Sequence, residues 1–226
     1  MATRTKERFP GFKKELMRLE DEDQAEVRIH YQVLKDAQTE EKRKQLNDLL
    51  ASHCHTRACR MLEILDEIKE PTIGNVGLEG SKAVSLLTLH SYLEVMKKVL
   101  AIYETVYKRN PSDIYGQAIP PLVDRIMILE HHMQLFGTNW YMGNAGKLLL
   151  VPVKDFPNMN RRRAQYGLEH ARKPTILSVG ATKHPLGTGK ATESDQKEMA
   201  ADEYEEYSRY YLKSRVSSSP FLQHPV

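Results

Sequence analysis

PLVDRIMILEHHMQLFGTNW, residues 121–140 of the 226-residue chain, reads as a helix that is apolar almost all the way round. At about 100° per residue, with Asp124 as origin, His131 falls about 20° away. Ile128 and Leu135 flank the same direction. Leu122, Val123, Ile126, Met127, Leu129 and Met133 cover most of the remaining circumference. A helix apolar on all sides is buried, and a buried charge must be paired or neutralised. Asp124 and His131 therefore mark either a structural polar network or a functional pocket, and both readings stand on the sequence.

Outward from this helix the elements are mostly helical. Pro120–Pro121 suit its first turn, and the periodicity carries it to Phe136, where Gly137–Thr138 ends it. Upstream, Phe12–Lys35 shows helical spacing of Leu16, Leu19, Val27, Tyr31 and Leu34. Thr39 starts a second helix with Leu46, Leu49, Leu50, His53, Met61, Leu62, Leu65 and Ile68 as its inner face, ending before Pro71. PTIGNVGLEGSKAV from Pro71 reads as a glycine loop. A third helix follows from Ser81, either to Met96 or on to Lys108, and Asn110–Pro111 stops it. Trp140–Met142 and Leu148–Val153 are β-prone runs around a glycine turn, and Asn158–Tyr166 is a short polar helix. Ala171–Ser194 reads as a linker or a loosely packed strap. Asp195–Lys213 reads as a last helix with Ala200, Tyr204, Tyr207 and Tyr211 as its stripe. The expected fold class is all-α: a helical bundle of about four principal helices with a small β-hairpin and a C-terminal helical extension. Residues 1–170 form the expected bundle domain, and 171–226 the linker and C-terminal extension.

Composition narrows the function classes. Lysine and arginine total 33 against 30 acidic residues, a net charge of +3, with the signs interleaved. No basic stripe interleaved with aromatics points to nucleic acid. No run approaches the roughly 18 apolar residues of a membrane helix. The start, MATRTKERFPGFKK, lacks the apolar core of a secretory signal. Cys54 and Cys59 would lie about 140° apart around a helix, which disfavours a disulfide. A reducing compartment, the cytoplasm, is the expected home.

The candidates for chemistry are polar residues on apolar helices. His90 sits in LLTLHSYL, Asp124 shares its stripe with His131, and Asp23 and Arg28 lie on the first helix. In a bundle these could converge on one interhelical pocket, where a histidine beside a carboxylate serves as general base or metal ligand. The alternative is that Asp124 pairs with Arg125, Arg28 or His131 to fix helix register. No Glu-x-x-His falls in the bundle helices, so a di-metal site is not expected. SHCHTRAC (His53, Cys54, His55, Cys59) lacks a second ligand pair. The loop at Pro71 could offer free N–H groups to an anion. LGTGKAT has His184 where a phosphate loop needs glycine. Arg161–Arg163 are either a solvated face or an anion clamp.

The segments DQAEVR (Asp23–Arg28), VGLEGSKAVSLLTLH (Val76–His90), VDRIMILEHHMQLFGT (Val123–Thr138), LLVPVKD (Leu149–Asp155) and NRRRAQYGL (Asn160–Leu168) resemble, in order, a bacterial-type all-helical family of unassigned function. The resemblance covers residues 15–170. It implies that Asp23, Gln24, Arg28, His90, Asp124, Arg125, Gln134, Gly137, Thr138, Arg162 and Arg163 are the positions the family is built around, and it implies no activity. The chain departs from that pattern at Lys69–Glu70–Pro71, where the family has Gly-Trp-Pro, and at Leu89, where it has Gln. It departs again at His131 or His132, where a glycine is common.

The expected function is a pocket for a small polar or anionic ligand. His90 is the candidate acid or base and Asp124 its orienting partner. Asp23, Gln24, Arg28, Arg125, His131, Gln134 and Thr138 belong to the binding set, with Arg162 or Arg163 at the mouth. No cofactor or metal is expected, nor a nucleic-acid or membrane partner. The rival is a non-catalytic interaction protein that uses the tyrosine-rich last helix.

Overall fold

A computed structural model describes residues 7–142 and 148–171, and these are mostly helical. The order is α1 (Pro10–Asp36), α2 (Glu40–Ile68), α3 (Ile73–Leu89), α4 (Leu93–Arg109), α5 (Ile119–Leu129), β1 (Trp140–Met142), β2 (Leu148–Leu150) and α6 (Met159–Ala164). The linker and tyrosine-bearing helix predicted beyond Ala171 lie outside the described residues. Among the described residues no helix is long and apolar enough to cross a membrane. The chain packs as two compact units that divide at Leu122–Val123, where the sequence reading has one domain to residue 170.

In the first unit α1 packs on α2 and α3, α2 on α3, and α3 on α4. α1 buries Leu16, Leu19 and Asp23, a three-and-four spacing, and leaves Tyr31 exposed. Thr39 caps α2 by accepting from the Lys42 N–H at 3.2 Å. The buried stripe of α2 is Cys54, Ala58, Met61, Ile64, Leu65 and Ile68. Leu49 and His53, expected inside, are exposed, because a stripe through Cys54 turns the neighbouring position outward by about 100°.

The glycine segment is a correction to the sequence reading. It is helix, not loop: Thr72 caps α3 from Asn75 N–H at 3.1 Å, and the helix begins at Ile73. Gly77 kinks it at φ 72°, ψ 170°, a conformation essentially confined to glycine. The N–H of Gly74 donates to Asp113 Oδ1 at 2.9 Å, so of the N–H groups that could have met an anion this one is taken by the chain's own carboxylate. The third predicted helix is two helices. Ser91 donates both its N–H and its Oγ–H to Thr88 O, at 3.0 and 2.6 Å, and Tyr92 is extended before α4. His90 therefore sits at the end of α3 rather than inside a helix. Fully buried Tyr103 of α4 donates its hydroxyl to Ser81 O at 2.5 Å.

In the second unit α5 ends at Leu129, not at Phe136. His131 adopts φ 63°. His132 N–H reaches Met127 O at 2.7 Å and His131 N–H reaches Ile128 O at 3.1 Å. This is the double closure of a Schellman turn with histidine in the left-handed position usually held by glycine. The predicted stripe shared by Asp124 and His131 is cut by that turn. β1 and β2 pair antiparallel with Trp140 opposite Leu150, and residues 143–147 lie outside the described ones. Leu150, Val153 and Met159 form the core here, with Trp140 and Phe156 against it.

Candidate functional site

Two buried carboxylates each organise a polar cluster, one in each unit. The first is built by α1, α2 and the end of α3. Asp23 and Glu26 share one face of α1, and His53, Cys54 and Arg57 lie within about a turn of α2. Asp23 is 1% exposed. Its Oδ2 receives Nδ1 of His90. Its Oδ1 receives Arg57 Nε at 3.2 Å and Nη2 at 3.0 Å. Gln24 Nε2 donates to Oδ2 at 3.3 Å, and the Cys54 thiol donates to Oδ1 at 3.7 Å. Arg57 turns its Nη1 to Glu26 Oε2 at 2.7 Å, and Glu26 Oε1 pairs with His53 Nδ1. One guanidinium thus bridges two carboxylate–histidine pairs.

The electrostatics follow from burial and these partners. Burial pushes the Asp23 carboxyl up, but His90, Arg57 and Gln24 outweigh it and hold Asp23 below the usual carboxylate range. Burial likewise acts on Glu26, and His53 and Arg57 hold it low. Burial, reinforced by the charge of Asp23, pushes the Cys54 thiol up to about 11, so Cys54 stays a thiol donor at neutral pH and is no nucleophile. An ionised Asp23 only accepts hydrogen bonds, which places the neutral His90 proton on Nδ1. The His90 side chain is 33% exposed, and its Nε2 takes no hydrogen bond among the described residues.

The second cluster is a clamp on a turn. Asp124 is fully buried. Its Oδ1 accepts from the Leu135 and Phe136 N–H groups at 2.7 and 2.9 Å, and its Oδ2 from the Thr138 N–H and hydroxyl at 2.9 and 2.8 Å. Burial pushes its carboxyl up, and these donors oppose the rise without cancelling it. Arginines hold the carbonyls of the same turn: Arg162 Nε donates to Leu135 O at 2.9 Å, and Arg163 Nη1 to Phe136 O at 2.8 Å. Gln134, fully buried, donates to Asn139 O and Val151 O at 3.1 and 2.6 Å and accepts from Asn139 N–H at 3.0 Å. Gly137 completes the turn at φ 64°, where a Cβ would come 2.5 Å from Met159 Sδ.

Several sequence-based pairings are thereby corrected. The carboxylate that orients His90 is Asp23, not Asp124, because α3 ends at His90 and delivers its ring to α1. Asp124, Gln134 and Thr138 spend their polar atoms on one another's segment. Arg162 and Arg163 hold backbone carbonyls rather than the mouth of a pocket. Arg28 is exposed and lines an open recess with Ile29, Tyr31 and Gln32. Arg125 is half-buried and His131 exposed. Arg57 and Glu26 escaped the sequence reading, and His53 entered it as an inner-face residue and a weighed metal ligand, not as the partner of Glu26. Their signal was a complementary one: acids three apart on one helix, a histidine and an arginine four apart on the next. Among the described residues no three His, Cys, Asp or Glu side chains are grouped to hold a metal ion. No family model matches the chain, and neither a curated protein nor a solved structure matches it.

Proposed function

We propose that the chain binds a small polar ligand at the Asp23–His90 pair and exchanges a proton with it through His90 Nε2. The observation that supports this is a buried carboxylate fixing Nδ1 of a ring whose other nitrogen belongs to a partly exposed side chain. That arrangement sets the tautomer and stabilises the imidazolium that forms when Nε2 takes a proton from a hydroxyl, a thiol or water. Arg57 stands behind Asp23 and, after His90, helps to hold its carboxyl below the usual carboxylate range. With neutral imidazoles, two carboxylates face one guanidinium, and the net negative charge favours a neutral proton donor over an anion. The scaffold we assign is a bundle of the four helices α1–α4, supported by the packing of α1 on α2 and α3 and of α3 on α4.

The test is hydrolysis of p-nitrophenyl acetate, a generic probe of imidazole reactivity. His90→Gln is expected to remove most of the protein-dependent rate and His53→Gln little of it. An unchanged rate in His90→Gln would reduce the pair to a structural device. A second reading, an interaction surface, rests on Ile29, Tyr31, Val33 and Leu49, which are 63%, 61%, 40% and 53% exposed. Sedimentation velocity tests it. Self-association that Ile29→Glu abolishes would favour it, and a monomer at all concentrations would count against a homotypic surface.

A further inference from the structure

We propose that His55 and Cys59 of α2 form a two-ligand site for a soft divalent cation of the Zn(II) class. The two residues are four apart on one helix, which places them on one face a turn apart. Cys59 Sγ and His55 Nε2 are 3.6 Å apart. A tetrahedral ion with bonds of about 2.3 Å to sulfur and about 2.0–2.1 Å to nitrogen has a sulfur–nitrogen edge of about 3.5 Å. The separation of the two atoms, which share a thiol–imidazole hydrogen bond in the metal-free chain, matches that edge, so an ion can replace the shared proton without a change in the spacing along the helix. The side chains are also placed in advance. Tyr92, just before α4, lies against the His55 ring with centroids 5.3 Å apart, and both His55 and Cys59 are half-buried, which lowers the entropy lost on chelation.

On binding, the Cys59 thiol gives its proton to solvent, and the thiolate and neutral Nε2 supply the two protein bonds. Water, or a group from another molecule, completes the coordination. Soft thiolate with imidazole selects zinc-like ions over magnesium or calcium. Cys54 cannot substitute, because its thiol is turned to Asp23 at 3.7 Å.

The experiment is a Co(II) titration of the full reduced chain, read by thiolate-to-cobalt charge-transfer absorption, which only a cysteine ligand produces. The expected result is a saturable band that survives Cys54→Ser and disappears in Cys59→Ser. His55→Gln should weaken binding at least about tenfold, the low end for losing even an outer-shell partner. Absence of the band in the unmodified chain, its survival in Cys59→Ser, or unchanged affinity in His55→Gln would overturn the proposal. Circular dichroism of each variant separates a lost ligand from a lost fold.

Discussion

At the scale of single residues the clusters make different demands on their carboxylates. Asp124 accepts from four donors of one turn. Asp124→Asn replaces one oxygen by an amide that faces N–H groups. Two donors lose their acceptor, at about 1–3 kcal/mol each, so urea unfolding should show a loss of about 2–6 kcal/mol. A loss below about 1 kcal/mol would mean the turn is held by its arginines alone. Asp23 acts on a ring instead. Nitrogen NMR of His90 should show the neutral form protonated at Nδ1, and a predominant Nε2–H tautomer would rule out the Asp23 contact. The cysteines differ in access: Cys54 is buried and Cys59 is not. Iodoacetamide at pH 8 should label Cys59 in the folded chain and Cys54 only on unfolding.

At the scale of elements, the ends of helices decide where the site falls. α3 stops at Leu89 because Ser91 folds back onto Thr88, and this puts His90 at a corner. Had the helix continued, His90 would have been one more position on an apolar cylinder. α2 ends in strain: Lys69 has φ 67° and ψ −48°, and Glu70 N–H bonds Ile68 O at 2.9 Å across it. This is the rarer γ-turn, unfavourable for a residue with a Cβ. Lys69→Gly should relieve about 1–3 kcal/mol of strain against about 0.5–1 kcal/mol of added chain entropy, so the melting temperature should rise. A fall would show that Lys69 makes contributions that outweigh its backbone. Gly77 is the converse. Gly77→Ala should cost about 1–3 kcal/mol, with the new Cβ 2.4 Å from Glu7 Oε1, and an unchanged stability would mean that α3 can straighten.

At the scale of the whole molecule, the carboxylates of the first cluster contribute to the response to acid, together with Glu15 and Glu70, which Arg60 and Arg109 hold low. Asp23 and Glu26 lie below their ordinary values in the folded chain. The unfolded chain therefore binds protons first as pH falls through about 4, and the stabilisation present above that range is lost as pH drops through the folded values. The unfolding free energy should fall between pH 5 and pH 2, and Asp23→Asn should flatten the slope. An equal slope in the variant would place the acid response elsewhere. Much of this molecule was legible in one dimension. Apolar spacing marked α1, α2 and α5, Thr39 marked a cap, and the isolated charges Asp23, His90 and Asp124 marked the polar clusters, because periodicity and the cost of burying charge act locally. The partners were not legible. A helical period says which way Asp23 and Asp124 point along their own helices, not which ring or turn arrives opposite them. That depended on Gly77, Ser91 and His131, whose backbone angles and turn bonds kink or stop α3 and α5. Sequence alone determined the helical class and the presence of buried polar groups. Only tertiary packing decided that Asp23, sixty-seven residues away, orients His90, while Asp124 holds a turn.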